Sequence, residues 1–576
     1  MKIINKNIRR FFFTAVFFLI LSAAFGADAP GTSTFNDGYP DDLNFWSDCP
    51  SDILAKVLVN RMTDSELFSQ ILMFGWAGAE PTELLNQWVT ERGLGSVKVF
   101  GWNTDDINLV AKSVKSLQQK AQNCRFKIPL FVATDQEGGW IRHVKGNTSE
   151  TPGNLALGAD GYPIDSYYTG FYIGREMRTL GINMNFAPAV DLYSTIDSTV
   201  IGPRSFGEDP EAVGILGAAW AKGSMDAGVI PTAKHFPGHG DTGTDSHGNL
   251  PVIDIDLQTL EDRELLPFKK LVNEDIPAIM SGHLSFPRII TDGAPASLSE
   301  TFLYEFLRKK LGYKGLIITD DMMMNGATLY ARGLANAVGM AVEAGNEIVI
   351  SSTTPQLNDA LWTQNFSKMK RDPLFKAKVK SAAEHVIRVK LEYFKSGNAA
   401  PLYPDADSIA ARIPDPAGKS FFLQQACRSI SLLKKGTFPY TPDMASNEKV
   451  LIAGQFFSYG DELKKRYPDA AIYSYKYYMN SENLQQALTE FPAYAKRFDT
   501  IIVCVANAES AKLAESLKRL GKRVIIVSIL APKFVVNLDW ADTILLAYSY
   551  SDYSFKAAAA VLAGEIPVYG ELPLSF

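Results

Sequence analysis

Eight short apolar runs, each followed by a helix-like segment, dominate the sequence between about residues 68 and 352. The runs occupy residues 71–75, 96–101, 129–135, 183–191, 229–236, 278–284, 315–321 and 347–352. The segments between them have helical patterns, such as TELLNQWVTERG, and a glycine often follows, as is typical of a helix C-terminus. Eight strand–helix units in roughly 280 residues match a TIM barrel. The repeat therefore predicts an α/β fold that begins with a TIM (β/α)8-like barrel.

The composition changes after residue 395. Residues 396–419 are rich in proline, alanine and aspartate, which predicts a linker. A helix is expected over KSFFLQQACRSISLLKKG, and KVLIAG, TIIVCVAN, RVIIVSIL and TILLAYSY are typical of buried parallel strands. The sequence thus predicts a barrel domain over 48–395, a linker over 396–419 and a second α/β sandwich domain over 420–576. Neither P-loop spacing nor a G-x-G-x-x-G motif occurs in this second domain, so nothing there favours a nucleotide cofactor.

The first 26 residues have the features of a secretory signal peptide, and a short lead over 27–47 follows them. Basic residues precede an apolar run of 15 residues, FFFTAVFFLILSAAF, which ends in small residues suited to cleavage. A membrane span needs about 20 residues, so an uncleaved anchor is the less favoured alternative. We therefore expect an exported protein, periplasmic or extracellular, with no stable membrane span after cleavage.

The charge distribution disfavours nucleic acid as a partner, and the cysteine spacing disfavours a zinc ribbon. The net charge is −6 with acids and bases mixed, and no dense basic patch occurs, so nucleic acid is not an expected partner. The four cysteines, Cys49, Cys124, Cys427 and Cys504, have no zinc-ribbon spacing. They allow one disulfide or free thiols, and the apolar surroundings of Cys427 and Cys504 favour thiols.

Polar side chains stand where the apolar runs end. These residues are Asp135, Asp191, Lys234, His235, His283 and Asp320. The C-terminal ends of parallel barrel strands share one face, and active sites of such barrels form there. The pattern therefore predicts an active site at this face.

The segment KHFPGHGDTGTDSHGNLP, residues 234–251, contains three of the six histidines of the chain. Pro237 and the neighbouring glycines prevent the helix that an HxxxH metal site needs, and the cationic Lys234 disfavours a metal, so no metal is expected. Asp245 and His247 are two positions apart, so their side chains point the same way in an extended or turn backbone. A carboxylate can then orient the imidazole, which predicts a general acid/base pair.

The segment LIITDDMMM places two carboxylates at the end of the seventh run. Asp320 is a candidate nucleophile on an anomeric carbon. Adjacent residues of an extended segment face opposite ways, so only one of Asp320 and Asp321 is expected to face the site. The alternative role for Asp321 is a structural carboxylate that accepts backbone N–H groups or binds a basic side chain.

These motifs resemble glycoside hydrolase family 3, in its β-N-acetylglucosaminidase branch. MTDSELFSQILM, TDQEGGWIRHV, NMNFAPAVDL, IGPRSFGEDP, PASLS and ITDDMMM resemble the family's barrel motifs in order, and RSISLLKKG and GEIPVYGELPLSF resemble the ends of its second domain. The resemblance covers nearly all of the chain after about residue 48.

The resemblance implies a retaining two-step mechanism without a cofactor. Asp320 would be the nucleophile, and His247 the acid/base oriented by Asp245. The implied sugar-binding residues are Asp135, Arg204, Lys234 and His235. His239 would shape the loop. The family's EGGRVQR is here EGGWIRH, so Trp140, Arg142 and His143 depart from the pattern, and Trp140 either stacks on a sugar or simply packs.

The expected function is an exported exo-β-N-acetylglucosaminidase that hydrolyses terminal non-reducing N-acetylglucosamine, with peptidoglycan fragments as the first substrate class and chitin oligosaccharides as the second. Three alternatives stay open: a β-N-acetylglucosaminide phosphorylase, a β-glucosidase-type hydrolase of the same family, and a sugar-binding envelope protein. A neutral histidine acid/base does not repel a phosphate anion, which is the reason for the first alternative.

Overall fold

The eight apolar runs form a closed parallel barrel in the computed structural model, which describes residues 38–198, 200–243, 248–443 and 445–575. The first ten strands are β1 (Leu72–Phe74), β2 (Ser96–Lys98), β3 (Phe131–Thr134), β4 (Gln136–Gly138), β5 (Ile141–Arg142), β6 (Met184–Asn185), β7 (Ile230–Phe236), β8 (Ala278–Ser281), β9 (Leu316–Asp321) and β10 (Ile348–Ser351). In the described residues the barrel order is β1-β10-β9-β8-β7-β6-β3-β2. The strands β4 and β5 form a separate antiparallel hairpin, which the apolar pattern did not predict.

Alternation along the strands builds two apolar layers. In β9, Leu316 and Ile318 belong to the cluster inside the barrel, whereas Ile317 belongs to the cluster between the barrel and its helices. Successive side chains of a strand face opposite sides, so a strand that is apolar on both sides must be covered on both. This explains why the runs are continuously apolar rather than alternating.

The helices of the barrel half surround the strands. They are α1 (Ser51–Arg61), α2 (Asp64–Gln70), α3 (Glu83–Arg92), α4 (Ile107–Gln122), α5 (Asn154–Asp160), α6 (Pro163–Thr179), α7 (Pro210–Asp226), α8 (Leu257–Thr259), α9 (Leu265–Asn273), α10 (Asn325–Ala331), α11 (Leu334–Ala344), α12 (Ala360–Arg371) and α13 (Pro373–Phe394). Short 3-10 turns occupy Gly101–Asn103, Gly202–Arg204 and Ala296–Leu298, and π-helices occupy Leu260–Glu264 and Thr301–Lys310.

The helix α3 has a capping residue at each end. The Thr82 hydroxyl accepts the N–H of Leu85 at 3.2 Å, and Gly93 ends the helix with a φ of 72°. A positive φ at this position suits glycine, which has no Cβ to clash. The helix therefore begins and ends where the side chains satisfy its free backbone groups.

The second α/β domain contains a six-stranded sheet in the described residues. Its strands are β11 (Ser431–Lys434), β12 (Val450–Gly454), β13 (Ala471–Ser474), β14 (Thr500–Val505), β15 (Arg523–Ser528) and β16 (Thr543–Leu546), in the order β11-β16-β15-β14-β12-β13. The remaining helices are α14 (Ile409–Arg412), α15 (Pro416–Ser429), α16 (Phe457–Lys464), α17 (Ser481–Ala495), α18 (Ala508–Ser516) and α19 (Asp552–Leu562), with 3-10 turns at Ala406–Ser408, Lys518–Leu520 and Pro532–Phe534. All neighbouring strands are parallel except β11 and β16. The predicted fold class, a barrel followed by a second α/β domain, is confirmed.

Three details of this half differ from the sequence prediction. The helix expected over KSFFLQQACRSISLLKKG ends at Ser429, because Ser431–Lys434 pairs with β16 as an antiparallel edge strand. The edge strand β13 was missed because its burial is only partial: Ile472 is 45% exposed. The helix α15 begins at Pro416, inside the predicted linker, and the proposed domain boundaries stay predictions.

The sheet and the barrel share packing and hydrogen bonds. Leu155 and Ala156 of α5 belong to the same apolar cluster as Val503 of β14. The Ser549 hydroxyl donates to the carbonyl of Thr151 at 3.3 Å. The second domain therefore packs against the barrel segment that follows β5.

Some predictions lie outside the described residues. The signal peptide, 1–26, and the first part of the lead, 27–47, are among them. No helix in the described ranges is long and apolar enough to cross a membrane.

Candidate active site

Five predicted site residues lie at or near the C-terminal end of the barrel. Asp135 directly follows β3, Lys234 and His235 lie in β7, and Asp320 lies in β9. Arg204 ends the 3-10 turn Gly202–Arg204. The remaining two, Asp245 and His247, lie outside the described residues. Their roles stay predictions from the sequence.

A buried network of five charged groups forms one side of this face. Lys234 Nζ lies 2.6 Å from Asp135 Oδ1 and 2.6 Å from Glu137 Oε1. Lys98 Nζ lies 2.8 Å from Asp135 Oδ2, and the Arg204 guanidinium donates to both oxygens of Glu137 at 2.9 and 2.8 Å. Two carboxylates thus pair with three cations in a region that water hardly reaches, which leaves one excess positive charge.

The network fixes the charge state of its members. Burial opposes ionisation, but Lys234 and Lys98 hold the pKa of Asp135 well below its ordinary value. Arg204 and Lys234 likewise lower the pKa of Glu137 against the effect of burial. Asp135 and Glu137 are therefore carboxylates at neutral pH, and they raise the pKa of Lys234, and Glu137 raises that of Arg204, so that both stay charged.

Lys98 and Glu137 were missed as site residues. Lys98 is the only charged residue of its apolar run, and the hairpin strand β4 brings Glu137 beside Asp135. The signal available was a buried lysine in a strand, because a lysine is almost never fully buried without a partner. Lys98 is 5% exposed and Glu137 is 1% exposed.

Asp191 organises the start of the 234–251 loop. Its Oδ1 accepts the N–H groups of His235 and His239 at 3.0 and 2.7 Å, and its Oδ2 lies 2.7 Å from His235 Nδ1. The His235 Nε2 lies 3.4 Å from an Arg204 nitrogen. Because a guanidinium can only donate, Nε2 is the acceptor there and Nδ1 donates to Asp191. The sequence placed Asp191 at a strand end without giving it this role.

The adjacent carboxylates Asp320 and Asp321 have different surroundings, and the nucleophile role of Asp320 stays a prediction. The Asp321 Oδ1 accepts the N–H groups of Met323 and Ser352, each at 3.0 Å, so Asp321 is a structural carboxylate. Burial opposes the ionisation of Asp320, but the imidazoles of His235 and His283 and the Lys98 ammonium lower its pKa below the ordinary value. Asp320 is therefore ionised at neutral pH, as a nucleophile must be.

Two further histidines support this face. His283 Nδ1 lies 2.7 Å from Ser297 Oγ, and its Nε2 lies 3.0 Å from the carbonyl of Asp321. Burial lowers the pKa of His239 to about 4, and neither of its ring nitrogens has a hydrogen-bond partner in the part of the chain that the structure describes. His239 is thus a neutral, packed side chain.

The segment that departs from the family pattern contributes a histidine rather than an arginine. His143 Nδ1 lies 3.5 Å from Asp135 Oδ2, and burial lowers the pKa of His143 to about 4. Arg142 instead donates to the carbonyl of Thr148 at 2.8 Å and pairs with Glu150. The Asp135 carboxylate therefore has a neutral imidazole beside it. Trp140 is half-buried, which leaves its two proposed roles open.

The described residues show neither a metal-ligand cluster nor a disulfide. Within the described ranges, no group of three or more His, Cys, Asp or Glu side chains has an arrangement that could hold a metal ion. The four cysteines are free thiols.

Comparison with known proteins agrees with this geometry. The family model for the glycosyl hydrolase family 3 N-terminal domain matches residues 63–389. The chain is 33% identical over 316 residues to β-hexosaminidase A of Pseudoalteromonas piscicida, a match that covers 52% of this chain and 51% of that protein. It is also 33% identical over 296 residues to a β-hexosaminidase of Thiobacillus denitrificans, covering 50% of this chain and 79% of the relative. The matched part thus spans only about half of the P. piscicida protein.

A solved structure extends the likeness beyond the barrel. It is a glycoside hydrolase family 3 β-N-acetylglucosaminidase from Paenibacillus sp. str. FPU-7, with 28% sequence identity and a TM-score of 0.81. The match covers 89% of this chain and 99% of that one. Both the barrel and the second α/β domain therefore have counterparts in a structure of similar length.

Proposed function

The chain belongs to glycosyl hydrolase family 3, and from this premise we propose that it is a retaining exo-β-N-acetylglucosaminidase. It would remove N-acetylglucosamine from the non-reducing ends of peptidoglycan fragments or, as a second substrate class, of chitin oligosaccharides. The observation that carries the proposal is the ionised Asp320 carboxylate, at the same barrel end as the buried network of Lys98, Asp135, Glu137, Arg204 and Lys234.

The network has the chemistry of a pocket for one sugar. Asp135 offers carboxylate oxygens to hydroxyl groups, and Lys234 and Arg204 offer N–H donors. Because each group is already held by a neighbour at 2.6 to 2.9 Å, the pocket needs little reorganisation when the sugar binds. A preorganised set of charged groups at one end of the barrel suits recognition of one terminal sugar.

The mechanism follows from one carboxylate and one histidine. An Asp320 oxygen attacks the anomeric carbon, and the bond to the leaving oxygen breaks as His247, oriented by Asp245, donates a proton to that oxygen. The product is a glycosyl ester on Asp320. His247 then takes a proton from water, the water oxygen attacks the anomeric carbon, and the carboxylate is released. Two displacements at the same carbon give net retention.

The N-acetyl specificity rests on two supports. One is the Asp-Ser-His sequence at 245–247, which is typical of the N-acetylglucosaminidase branch. The other is the set of relatives, which are named β-hexosaminidases and a β-N-acetylglucosaminidase. Export to the periplasm or the extracellular space is part of the proposal and rests on the predicted signal peptide.

The test is release of p-nitrophenol by the chain from Ala27 onward, in phosphate-free buffer. The two substrates are the aryl β-N-acetylglucosaminide and the aryl β-glucoside, and Asp320→Asn is the matched control because it keeps shape and removes the charge. We expect a strong preference for the N-acetyl substrate and no turnover by the variant. Preference for the glucoside, or binding without turnover, would contradict the proposal.

A second arm separates hydrolysis from phosphorolysis. The same reaction in phosphate buffer is expected to yield free N-acetylglucosamine. Formation of N-acetylglucosamine 1-phosphate would instead identify a phosphorylase. Muropeptides and chitin disaccharide are then compared by kcat/KM to rank the two substrate classes.

A further inference from the structure

We propose that Thr151 and Asn154 are positioning residues for the buried ion pair Glu137–Arg204, and that the second domain holds both of them in place. The inference rests on the proposed glycosidase function and gives the second α/β domain a part in it. Both residues lie in the bridging segment, residues 149–156, which runs from the loop after β5 into the first turn of α5. This segment contacts the charged network on one side and the second domain on the other.

The hydroxyl of Thr151 holds the turn of the hairpin that carries Glu137. Its Oγ1 accepts the N–H of Gly139 at 2.9 Å, and Thr151 is 1% exposed. The turn fits closely against this hydroxyl: a Cβ added at Gly138, which has a φ of 93°, would lie 2.5 Å from Thr151 Oγ1. Glycine suits both the positive φ and the close approach. Because Glu137 directly precedes Gly138 in β4, a shift of the turn would move the Glu137 carboxylate.

The side chain of Asn154 holds the other member of the ion pair. Its Nδ2 donates to the carbonyl of Arg204 at 2.7 Å, and the residue is buried. The Arg204 guanidinium in turn donates to both oxygens of Glu137 at 2.9 and 2.8 Å. Two residues only three positions apart in the chain therefore fix the backbone on both sides of the ion pair.

Hydrogen bonds connect the bridging segment to the second half of the chain at two points. The Ser549 hydroxyl, which follows β16, donates to the carbonyl of Thr151 at 3.3 Å. The buried Glu176 carboxylate accepts the N–H and the hydroxyl of Ser149 at 2.9 and 2.6 Å, and it also accepts the N–H of Asp415 at 2.8 Å. Asp415 caps α15, which leads into the second sheet at β11. One carboxylate thus joins the bridging segment to the start of that helix.

The C-terminal tail adds a third contact. Leu155 of α5 shares a buried apolar cluster with Leu574 and with strands of the second sheet. The same tail reaches the loop that follows Arg204, where the N–H of Glu208 donates to the carbonyl of Pro573 at 3.2 Å. The second domain therefore holds the backbone on both sides of the ion pair.

The position of this ion pair affects the groups proposed to bind the terminal sugar. Glu137 Oε1 lies 2.6 Å from Lys234 Nζ, and an Arg204 nitrogen lies 3.4 Å from His235 Nε2. A displacement of either member would therefore move Lys234 or His235 away from its partner. Misplacement of a binding group by about 1 Å can lower a rate by about 100-fold. Loss of the hold on the ion pair should accordingly weaken both sugar binding and turnover.

The experiment uses the full chain and four single variants. Thr151→Val removes the hydroxyl and keeps the shape, Thr151→Ser keeps the hydroxyl, Asn154→Ala removes the bond to the arginine carbonyl, and Ser549→Ala removes the donor from the second domain. The matched control is Thr543→Val, because Thr543 is also buried and also accepts the N–H of a glycine, Gly436, at 3.3 Å. Thr543 begins β16, at the opposite end of that strand from Ser549.

Three quantities are measured for each variant. They are the inhibition constant of free N-acetylglucosamine, kcat/KM for the aryl N-acetylglucosaminide and for chitobiose, and the midpoint of thermal unfolding. The inhibition constant reports on the sugar pocket alone. Comparison of the two substrates separates a displaced sugar pocket, which costs both equally, from a displaced proton donor, which costs chitobiose more.

Thr151→Val and Asn154→Ala should each raise the inhibition constant and lower both kcat/KM values by about three- to tenfold, the equivalent of one lost hydrogen bond. Thr151→Ser should keep most of the wild-type values, and Thr543→Val should change none of them by more than about twofold. Ser549→Ala should cause a smaller loss, about two- to threefold, that does not add to the loss in Thr151→Val.

Wild-type inhibition constants in Thr151→Val, Asn154→Ala or Ser549→Ala would overturn the inference, as would an equal loss in Thr543→Val. If Thr151→Val does not fold, Asn154→Ala and Ser549→Ala decide the question in the same assays. If the wild type neither cleaves the aryl substrate nor binds N-acetylglucosamine, it is the glycosidase proposal that fails.

Discussion

Replacing Asp191 by asparagine should disable the site while leaving the fold in place. The Asp191 Oδ1 accepts two backbone N–H groups, and an asparagine oxygen can keep both bonds. Its Oδ2 accepts the Nδ1–H of His235 at 2.7 Å, and the asparagine NH2 cannot accept that proton. His235 must then turn or change its tautomer, which places a second donor against Arg204.

The magnitude follows from the lost bond. A hydrogen bond to a charged group contributes about 1.5–3 kcal/mol, and each 1.4 kcal/mol in the barrier is about tenfold in rate. We therefore expect Asp191→Asn to lower kcat/KM on the aryl N-acetylglucosaminide by about 10- to 100-fold. Steady-state kinetics measures the loss, and circular dichroism with a thermal melt checks that the variant is folded.

The matched control is Asp321→Asn on the same barrel face. Both bonds that Asp321 accepts go to one oxygen, so the amide keeps them. The control should lose less than about threefold in kcat/KM, the equivalent of roughly 0.6 kcal/mol. Asp191 is a positioning residue that acts through His235. The losses in kcat/KM from Asp191→Asn and from His235→Ala should therefore not add, and Asp191→Asn should cause little further loss in a His235→Ala background. Additive losses in the Asp191→Asn, His235→Ala double variant, or equal effects of Asp191→Asn and Asp321→Asn, would contradict a positioning role for Asp191.

Two further predictions concern the acid/base and a buried carboxyl. His247→Ala should lower kcat/KM for chitobiose by about 10²–10⁴-fold. The loss on an aryl glycoside should be far smaller, because only a poor leaving group needs protonation. Equal losses on the two substrates would exclude the acid role. Burial outweighs Arg263 and raises the pKa of Glu264 to about 7 from an ordinary 4.5. Between these two pKa values the folded chain keeps a proton on Glu264 that the unfolded chain has released. The free energy of unfolding therefore falls by roughly 3 kcal/mol as the pH rises from the ordinary pKa of Glu264 to its folded pKa. Glu264→Gln should remove that fall in denaturant titrations at pH 5 and pH 8, and an identical pH dependence in both proteins would contradict it.

The fold was predictable because its signal is local and repeated. Each barrel strand is covered on both sides, so each appears as a continuous apolar run that can be read without the rest of the chain. The hairpin strands β4 and β5 gave no such signal, since their residues are polar, glycine-rich and few. The edge strand β13 is partly exposed and was missed for the same reason.

The site was predictable only in part. Strand ends and the 234–251 loop gave Asp135, Lys234, His235 and Asp320, and the structure places all four at one end of the barrel. The ion pairs between these residues were not predictable from the sequence. Lys234 and its partner Asp135 are 99 positions apart, and only the closed barrel brings them together. Residues whose role is to hold another residue, such as Asp191, have no motif of their own.

Trapping of the glycosyl-enzyme would show whether Asp320 is the nucleophile. A fluorinated N-acetylglucosaminyl fluoride, which forms the ester faster than water removes it, is incubated with the chain, and peptides are analysed by mass spectrometry. One added fluorinated N-acetylglucosaminyl group is expected on the peptide that contains Asp320, and no label in Asp320→Asn. Label on a different residue, or turnover of the aryl substrate with no label on any residue, would contradict it.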